Sequence, residues 1–259
     1  MSKKLKVSII TVCYNSVETI RYSINSVLSQ DYSGIEYIII DGGSNDGTIE
    51  IIESFGDQVD YFISEEDHGI YDAMNKGIKA SKGDVVGILN SDDVYQNNYV
   101  ISDIVNNFKR FNCDSIYGDL IYVKNDDISK IVRYWKSGDF SISKLKKGWM
   151  LPHPTFFVKR SLYLKYGLYN TELKSAADYE MILRLLYKYN ITVRYLPNIL
   201  VKMRQGGVSN SSLLNRIKAN REDSLSWKIN QLYQPYFIRI RKPFIKIKQY
   251  FMRPKFKNN

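Results

Sequence analysis

The chain has 259 residues, 44% of them hydrophobic and 25% charged, an ordinary globular composition with enough length for one domain and a tail. Two widely separated cysteines, Cys13 and Cys113, exclude a disulfide framework and lack metal-ligand spacing, so a reducing compartment is expected. The net charge of +10 is localised: the eight basic residues of Tyr236–Asn259, removed from the total of 37, leave 29 against 27 acidic ones. A nearly neutral body with one basic tail suggests a single docking surface and argues against a nucleic-acid binder.

Val7 to Val12 is a β-branched run leading into Tyr14-Asn15 without a cleavage site, so it reads as a first strand and not as a signal peptide. Helical spacing follows over Asn15–Gln30, then a buried-strand pattern over Ile35–Ile40 ending at Asp41-Gly42-Gly43. A helix from about Thr48, a strand over Tyr61–Ser64, a helix over Ile70–Ala80 and a strand over Asp84–Leu89 complete the regular half. Strands without polar alternation, separated by helices, predict an α/β fold with a mostly parallel sheet covered on both faces. In such sheets ligands gather at the carboxyl ends of the strands, where this chain puts Tyr14-Asn15, Asp41–Asp46, Glu65–His68 and Asn90–Asp93.

After Gln96 the regularity changes. Ser115–Val123 and Ile131–Trp135 predict a hairpin, Met150–Thr155 a loop with two prolines, and Ala176–Tyr189 a helix. Thr192–Met203 reads as a strand interrupted at Pro197, and Ser211 or Ser212 caps a helix running to about Ile229. No stretch approaches the ~20 apolar residues of a membrane-spanning helix.

Two loops carry acidic chemistry. Asn90-Ser91-Asp92-Asp93 displays carboxylates at a strand end, where they could hold a hard cation that also binds phosphate oxygens. Asn, Ser and Asp are also the usual turn residues, and taken alone the loop reads as a capped turn. Asp41–Thr48 lacks both the dinucleotide glycine spacing and the phosphate-loop lysine, which disfavours hydride transfer. Its acids could accept hydrogen bonds from a base or ribose, or simply favour the N-terminus of the next helix.

In order, the segments Val7–Asn15, Ile40–Thr48, Glu66–Gly77, Ser91–Asp93 and Ala177–Glu180 resemble those of family 2 glycosyltransferases of the GT-A fold, especially the transferases of bacterial O-antigen, capsule and exopolysaccharide assembly. The resemblance spans roughly Val7 to Ser209. It implies a glycosyltransferase domain over residues 1–210, with a nucleotide-binding half over 1–96 and an acceptor-binding half over 97–210. Residues 211–259 are then a helical, basic, amphipathic segment.

The resemblance also implies roles. Thr11, Tyr14, Asn15 and Asp41 line the base pocket, while Asp72, Asn75 and Lys76 pass beneath the nucleotide. Asp93 ligates a divalent metal, Mg2+ or Mn2+, Asp92 approaches the ribose or sugar, and Asp178 deprotonates the acceptor hydroxyl. A UDP-sugar donor, a lipid-diphosphate-linked glycan acceptor and single-step inverting displacement follow. His153, Trp149, Glu180 and Arg204 are further candidates for acceptor or diphosphate contact, with structural roles as the alternative for His153 and Trp149. Two departures stand out: Gly42 replaces a second aspartate of many relatives, and Ala177 replaces an acid beside Asp178. Glu180 therefore competes with Asp178, the two pointing about 200° apart on a helix.

In the tail, Phe237, Ile240, Phe244, Ile247 and Phe251 share one helical face and Arg239, Lys242, Lys246 and Arg253 lie mainly opposite. That is the pattern of an interfacial helix on anionic lipid, which implies a cytoplasmic protein held peripherally at the inner face of the cell membrane. The competing reading is a catalytically silent sugar-nucleotide-binding scaffold of a membrane assembly complex.

Overall fold

A computed structural model describes residues 4–205, 213–236, 238 and 249–254. Its first half alternates as expected: β1 (Val7–Cys13), α1 (Ile20–Leu28), β2 (Ile35–Asp41), α2 (Thr48–Glu53), β3 (Tyr61–Ser64), α3 (Ile70–Ala80) and β4 (Val85–Asn90). β1 pairs in parallel with both β2 and β4, and β2 with β3. The β-branched side chains of β1 and β2 pack to both sides. Ile10, Val12, Ile38 and Ile40 enter one core, while Val7, Ile9, Tyr37 and Ile39 enter a second core on the opposite face. α1 is shorter than its apolar spacing suggests, because residues 15–19 are spent on a loop in which Asn15 takes a left-handed φ of 47°.

The second half adds β5 (Val94–Tyr95), α4 (Val100–Phe111), β6 (Ser115–Val123), β7 (Ile131–Trp135), α5 (Ile142–Lys146), β8 (Phe157–Lys159), α6 (Arg160–Tyr166), α7 (Ala177–Ile182), β9 (Val193–Arg204) and α8 (Leu213–Ile229). The expected hairpin is present as β6 and β7. β8, which the sequence pattern leaves unassigned, runs antiparallel between β4 and β6 and makes the sheet continuous. The strand order is β3-β2-β1-β4-β8-β6-β9-β5, with β7 on β6. In β9 the ladder with β6 shifts register near Pro197, which cannot donate to it. α7 passes into a wider-wound turn over Leu183–Lys188.

The C-terminal stretch packs onto the body where it is described. Trp227 is buried and donates from its indole to Tyr179 at 2.9 Å, and Ile238 joins the same core. Gln249 accepts from Arg133 at 2.7 Å, and the Arg133 guanidinium lies against the rings of Tyr122, Trp135 and Tyr250. Most of the amphipathic pattern from Phe237 to Phe251 lies outside the described residues, as do the Ser211 and Ser212 caps. No helix of the described residues is long and apolar enough to cross a membrane.

The junction of the two halves is tight at Gly87, where an added Cβ would lie 2.4 Å from the Phe157 ring. Gly87→Ala should therefore destabilise the chain by about 1–3 kcal/mol, the usual effect of overpacking a filled core. Urea unfolding should give a lower midpoint with an unchanged slope.

Candidate active site

The loops after β1, β2 and β4 meet at the carboxyl end of the sheet, and hydroxyls join them. Asn15 N–H donates to Ser44 Oγ at 2.7 Å, Ser16 N–H to Thr48 Oγ1 at 2.7 Å, and the Ser16 and Ser91 hydroxyls share a 2.8 Å bond. Asn15 Oδ1 accepts from the Asn45 amide at 3.0 Å. The result is a pre-formed crescent with Tyr14 and Asn15 exposed on its rim.

Asp41 lies beneath that rim and does a different job from the one expected. It is fully buried and accepts from the backbones of Gly43 and Ser44 and the hydroxyls of Ser44 and Ser64. Burial pushes its carboxyl up, but those donors outweigh it and hold Asp41 below the usual carboxylate range. Its oxygens organise the loop and are not left for a nucleobase. Thr11 is likewise buried, bonded to the Tyr37 hydroxyl at 3.1 Å inside the core.

The rim has a carboxylate that the sequence reading missed. A Cβ on Gly42 would lie 2.5 Å from Asp67 Oδ2 and 3.5 Å from the Tyr14 ring, so Asp67 fills the space above the bare glycine. The bare Gly42, where many relatives have a second aspartate, was the signal that this space is open to a side chain from another segment. Asp72 and Lys76 secure this segment: Asp72 accepts from His68 N–H, and Lys76 pairs with Glu65 at 2.9 Å and with Asp72 at 3.8 Å.

At the end of β4, Asp92 is partly exposed and Asp93 fully buried. Burial, and then the Asp92 charge, push the Asp93 carboxyl well above its usual range, against weaker opposition from Asn90 and Arg204. Burial raises Asp92 as well, with Arg204 opposing. Arg204 is itself buried over the Tyr22 ring and donates to the Asn125 carbonyl, so it serves this carboxylate pair as a neighbouring cation. Asp93 Oδ1 has no hydrogen-bond partner among the described residues. No group of three or more His, Cys, Asp or Glu side chains among the described residues could hold a metal alone. A buried orphan carboxylate oxygen beside a second acid fits a cation that takes one or two protein carboxylates and completes its shell with phosphate oxygens and water.

The acceptor half supplies a second cluster. Asp178, in the first turn of α7, accepts from the Tyr71 hydroxyl at 3.2 Å. Tyr71 stacks on Tyr169 with ring centroids 5.7 Å apart, and the Tyr169 hydroxyl bonds His153 Nε2 at 2.6 Å. Burial lowers the His153 imidazole, with Asp178 pulling it back up. Asn75 turns away from the nucleotide side: its amide bonds both the N–H and the carbonyl of Tyr169 at 2.9 Å. Trp149 is buried against Tyr117 and donates to the Ser137 carbonyl, which leaves no face for a sugar. Glu180 is buried in an ion pair with Arg184 and a bond from Asn230, each 3.0 Å, so it is committed to the core. Tyr71 and Tyr169 were missed because tyrosines are scattered throughout the sequence. A cavity of about 670 Å³ lies at the opposite end of β4, lined by Lys82, Val85, Lys159 and Arg160, away from both clusters.

A parallel-to-mixed sheet with acidic loops at its carboxyl edge is the architecture of GT-A glycosyltransferases, and solved members of that class share it. TarS of S. aureus, residues 1–349 solved with UDP-GlcNAc, superposes with a TM-score of 0.68 at 19% identity, covering 89% of this chain and 68% of that one. The mannosyltransferase of Pyrobaculum calidifontis, solved with GDP-Man and Mn2+, gives 0.66 at 15%, covering 94% and 70%. The model of glycosyl transferase family 2 matches residues 8–167, and the chain belongs to that family. An uncharacterised glycosyltransferase of Mycobacterium tuberculosis is 33% identical over 186 residues, 71% of this chain and 70% of its own. A PGL/p-HBAD biosynthesis glycosyltransferase of Mycobacterium bovis is 26% identical over 209 residues, 79% of each chain.

The buried Asp93 makes a prediction with a sign. Its folded carboxyl titrates above the unfolded value of about 3.9, so its ionisation opposes folding at neutral pH and ceases to do so below about pH 4. Asp93→Asn should raise the Tm of the metal-free chain by about 2–4 °C at pH 7, the shift of ~1 kcal/mol in a domain this size, and by much less at pH 4. Thermal scans at the two pH values test it.

Proposed function

We propose that the chain is an inverting, metal-assisted glycosyltransferase that moves a sugar from a UDP-sugar to a hydroxyl of a lipid-linked oligosaccharide. The observation that carries this reading is the buried Asp93 oxygen without a hydrogen-bond partner among the described residues, beside Asp92 at the carboxyl edge of a family 2 sheet.

In this reading Tyr14, Asn15 and Asp67 form the rim against which the nucleobase rests. Asp92 and Asp93 hold the divalent cation, which when bound offsets the charge of the departing diphosphate. Arg204, already beside that pair, adds a cation on the diphosphate side. Asp178 takes the proton of the attacking hydroxyl. With one base and no nucleophile assigned to the opposite face, displacement is single-step and an α-linked donor yields a β-linked product. The UDP-GlcNAc bound by TarS supports a uridine donor, and the Mn2+ of the mannosyltransferase complex supports the cation.

Calorimetric titration with UDP and GDP, with and without Mn2+, is the direct test. One nucleotide should bind only with the metal, and Asp93→Ala should abolish that binding. Asp178→Asn should leave binding intact and reduce transfer at least about 100-fold, as loss of a general base does. Failure of both nucleotides to bind would favour the silent scaffold.

The membrane reading extends to the described tail residues. Tyr236 and Phe251 are among the most exposed large side chains, and Arg253 adds a cation next to them. Flotation with phosphatidylglycerol vesicles should recover the chain, and a Phe251→Glu, Arg253→Glu double variant should float at least about threefold less, given ~1 kcal/mol per basic residue near an anionic surface. Equal flotation of the two would remove the tail from the membrane reading.

A further inference from the structure

Tyr71 is absorbed by none of the donor contacts, yet it joins the two halves of the cleft. It is the second residue of α3, and α3 lies against β1 through Gly77, where a Cβ would meet Ile10 at 2.4 Å. The base of Tyr71 is therefore fixed to the middle of the sheet. Its ring is fixed too, stacked on Tyr169, whose backbone Asn75 grips from the same helix and whose hydroxyl bonds His153. What remains is the hydroxyl, and it donates to Asp178 Oδ1 at 3.2 Å.

Asp178 stands in the first turn of α7, and an aspartate side chain there has several staggered rotamers within reach. A hydroxyl fixed by its stacked ring favours the rotamer in which Oδ1 meets it.

We infer that Tyr71 is a positioning residue for the reaction, holding Asp178 by Oδ1 so that Oδ2 is the oxygen offered to the acceptor hydroxyl. The inference rests on the reading of Asp178 as the base. Burial, and then the Asp178 charge, keep the phenol protonated far above neutral pH, so it is a donor throughout the working range. The remaining groups around the pair, His153, Tyr169 and Glu222, do not replace it: His153 is bonded to Tyr169, and Glu222 accepts from the backbones of Lys174 and Ser175.

Tyr71→Phe keeps the ring and its stacking and removes only the hydroxyl. The probe reaction is release of nucleotide from UDP-GlcNAc and from GDP-mannose with Mn2+, water serving as acceptor. The expected result is a kcat about tenfold lower with an unchanged donor KM, since a hydrogen bond to a charged group is lost and donor contacts are not. An unchanged kcat, or a matching rise in KM, overturns the inference. Asp178→Asn separates the two claims: if it retains full activity, the base assignment falls, whereas loss in Asp178→Asn beside a normal Tyr71→Phe overturns only the positioning role. Crystal structures of the parent and Tyr71→Phe chains read the geometry without turnover. Asp178 in a different rotamer, or spread over several, supports the inference, and an unmoved carboxylate overturns it.

Discussion

Two buried carboxylates beyond β2 and β4, the strands on either side of β1, have opposite solutions to the same constraint, and the cleft is organised around the difference. A carboxylate removed from water must find donors or a cation. Asp41 finds donors: two backbone amides and two hydroxyls close around it and fix the loop after β2. Asp93 finds fewer: Asn90 reaches one oxygen at 3.4 Å and the other has no partner among the described residues. The first carboxylate is spent on shape. The second keeps an unpaired oxygen, which costs the chain part of its stability.

From those anchors the cleft is assembled by cross-linking through α3. The helix touches β1 at Gly77, secures the Glu65–His68 segment through Asp72 and Lys76, and reaches the acceptor half through Tyr71 and Asn75. The halves are also joined through the sheet, where β8 bridges β4 and β6. Residues of the two halves are thus fixed to common elements.

The sequence was most informative where a pattern had one physical meaning. The β-branched runs of β1, β2 and β4 could only be buried parallel strands, and the acidic segments that follow them resembled one family in one order. β8 and α6 were illegible because three-residue strands and short helices leave no periodicity to detect. α4 was legible in Val100, Ile101, Ile104, Val105 and Phe108, a helical stripe that went unassigned. Site residues divided differently. A motif tells that Asp41, Asn75 or Glu180 matters, but not whether the side chain faces a ligand or the core. That is decided by partners from distant segments, such as Ser64 for Asp41, Tyr169 for Asn75 and Asn230 for Glu180. Asp67 and Tyr71 lay in plain view within Glu66–Gly77, but only the fold brings them to Gly42 and Asp178.

The grip of Asn75 on residue 169 involves only the peptide groups of that residue. A side-chain amide that imitates a strand neighbour holds the main chain whatever side chain it carries. Position and packing are therefore secured separately at 169: the main chain stays registered to α3 while the buried ring supports Tyr71 and His153. A substitution there would loosen the aromatic cluster and leave the path of the loop, the sheet and the helix as they are.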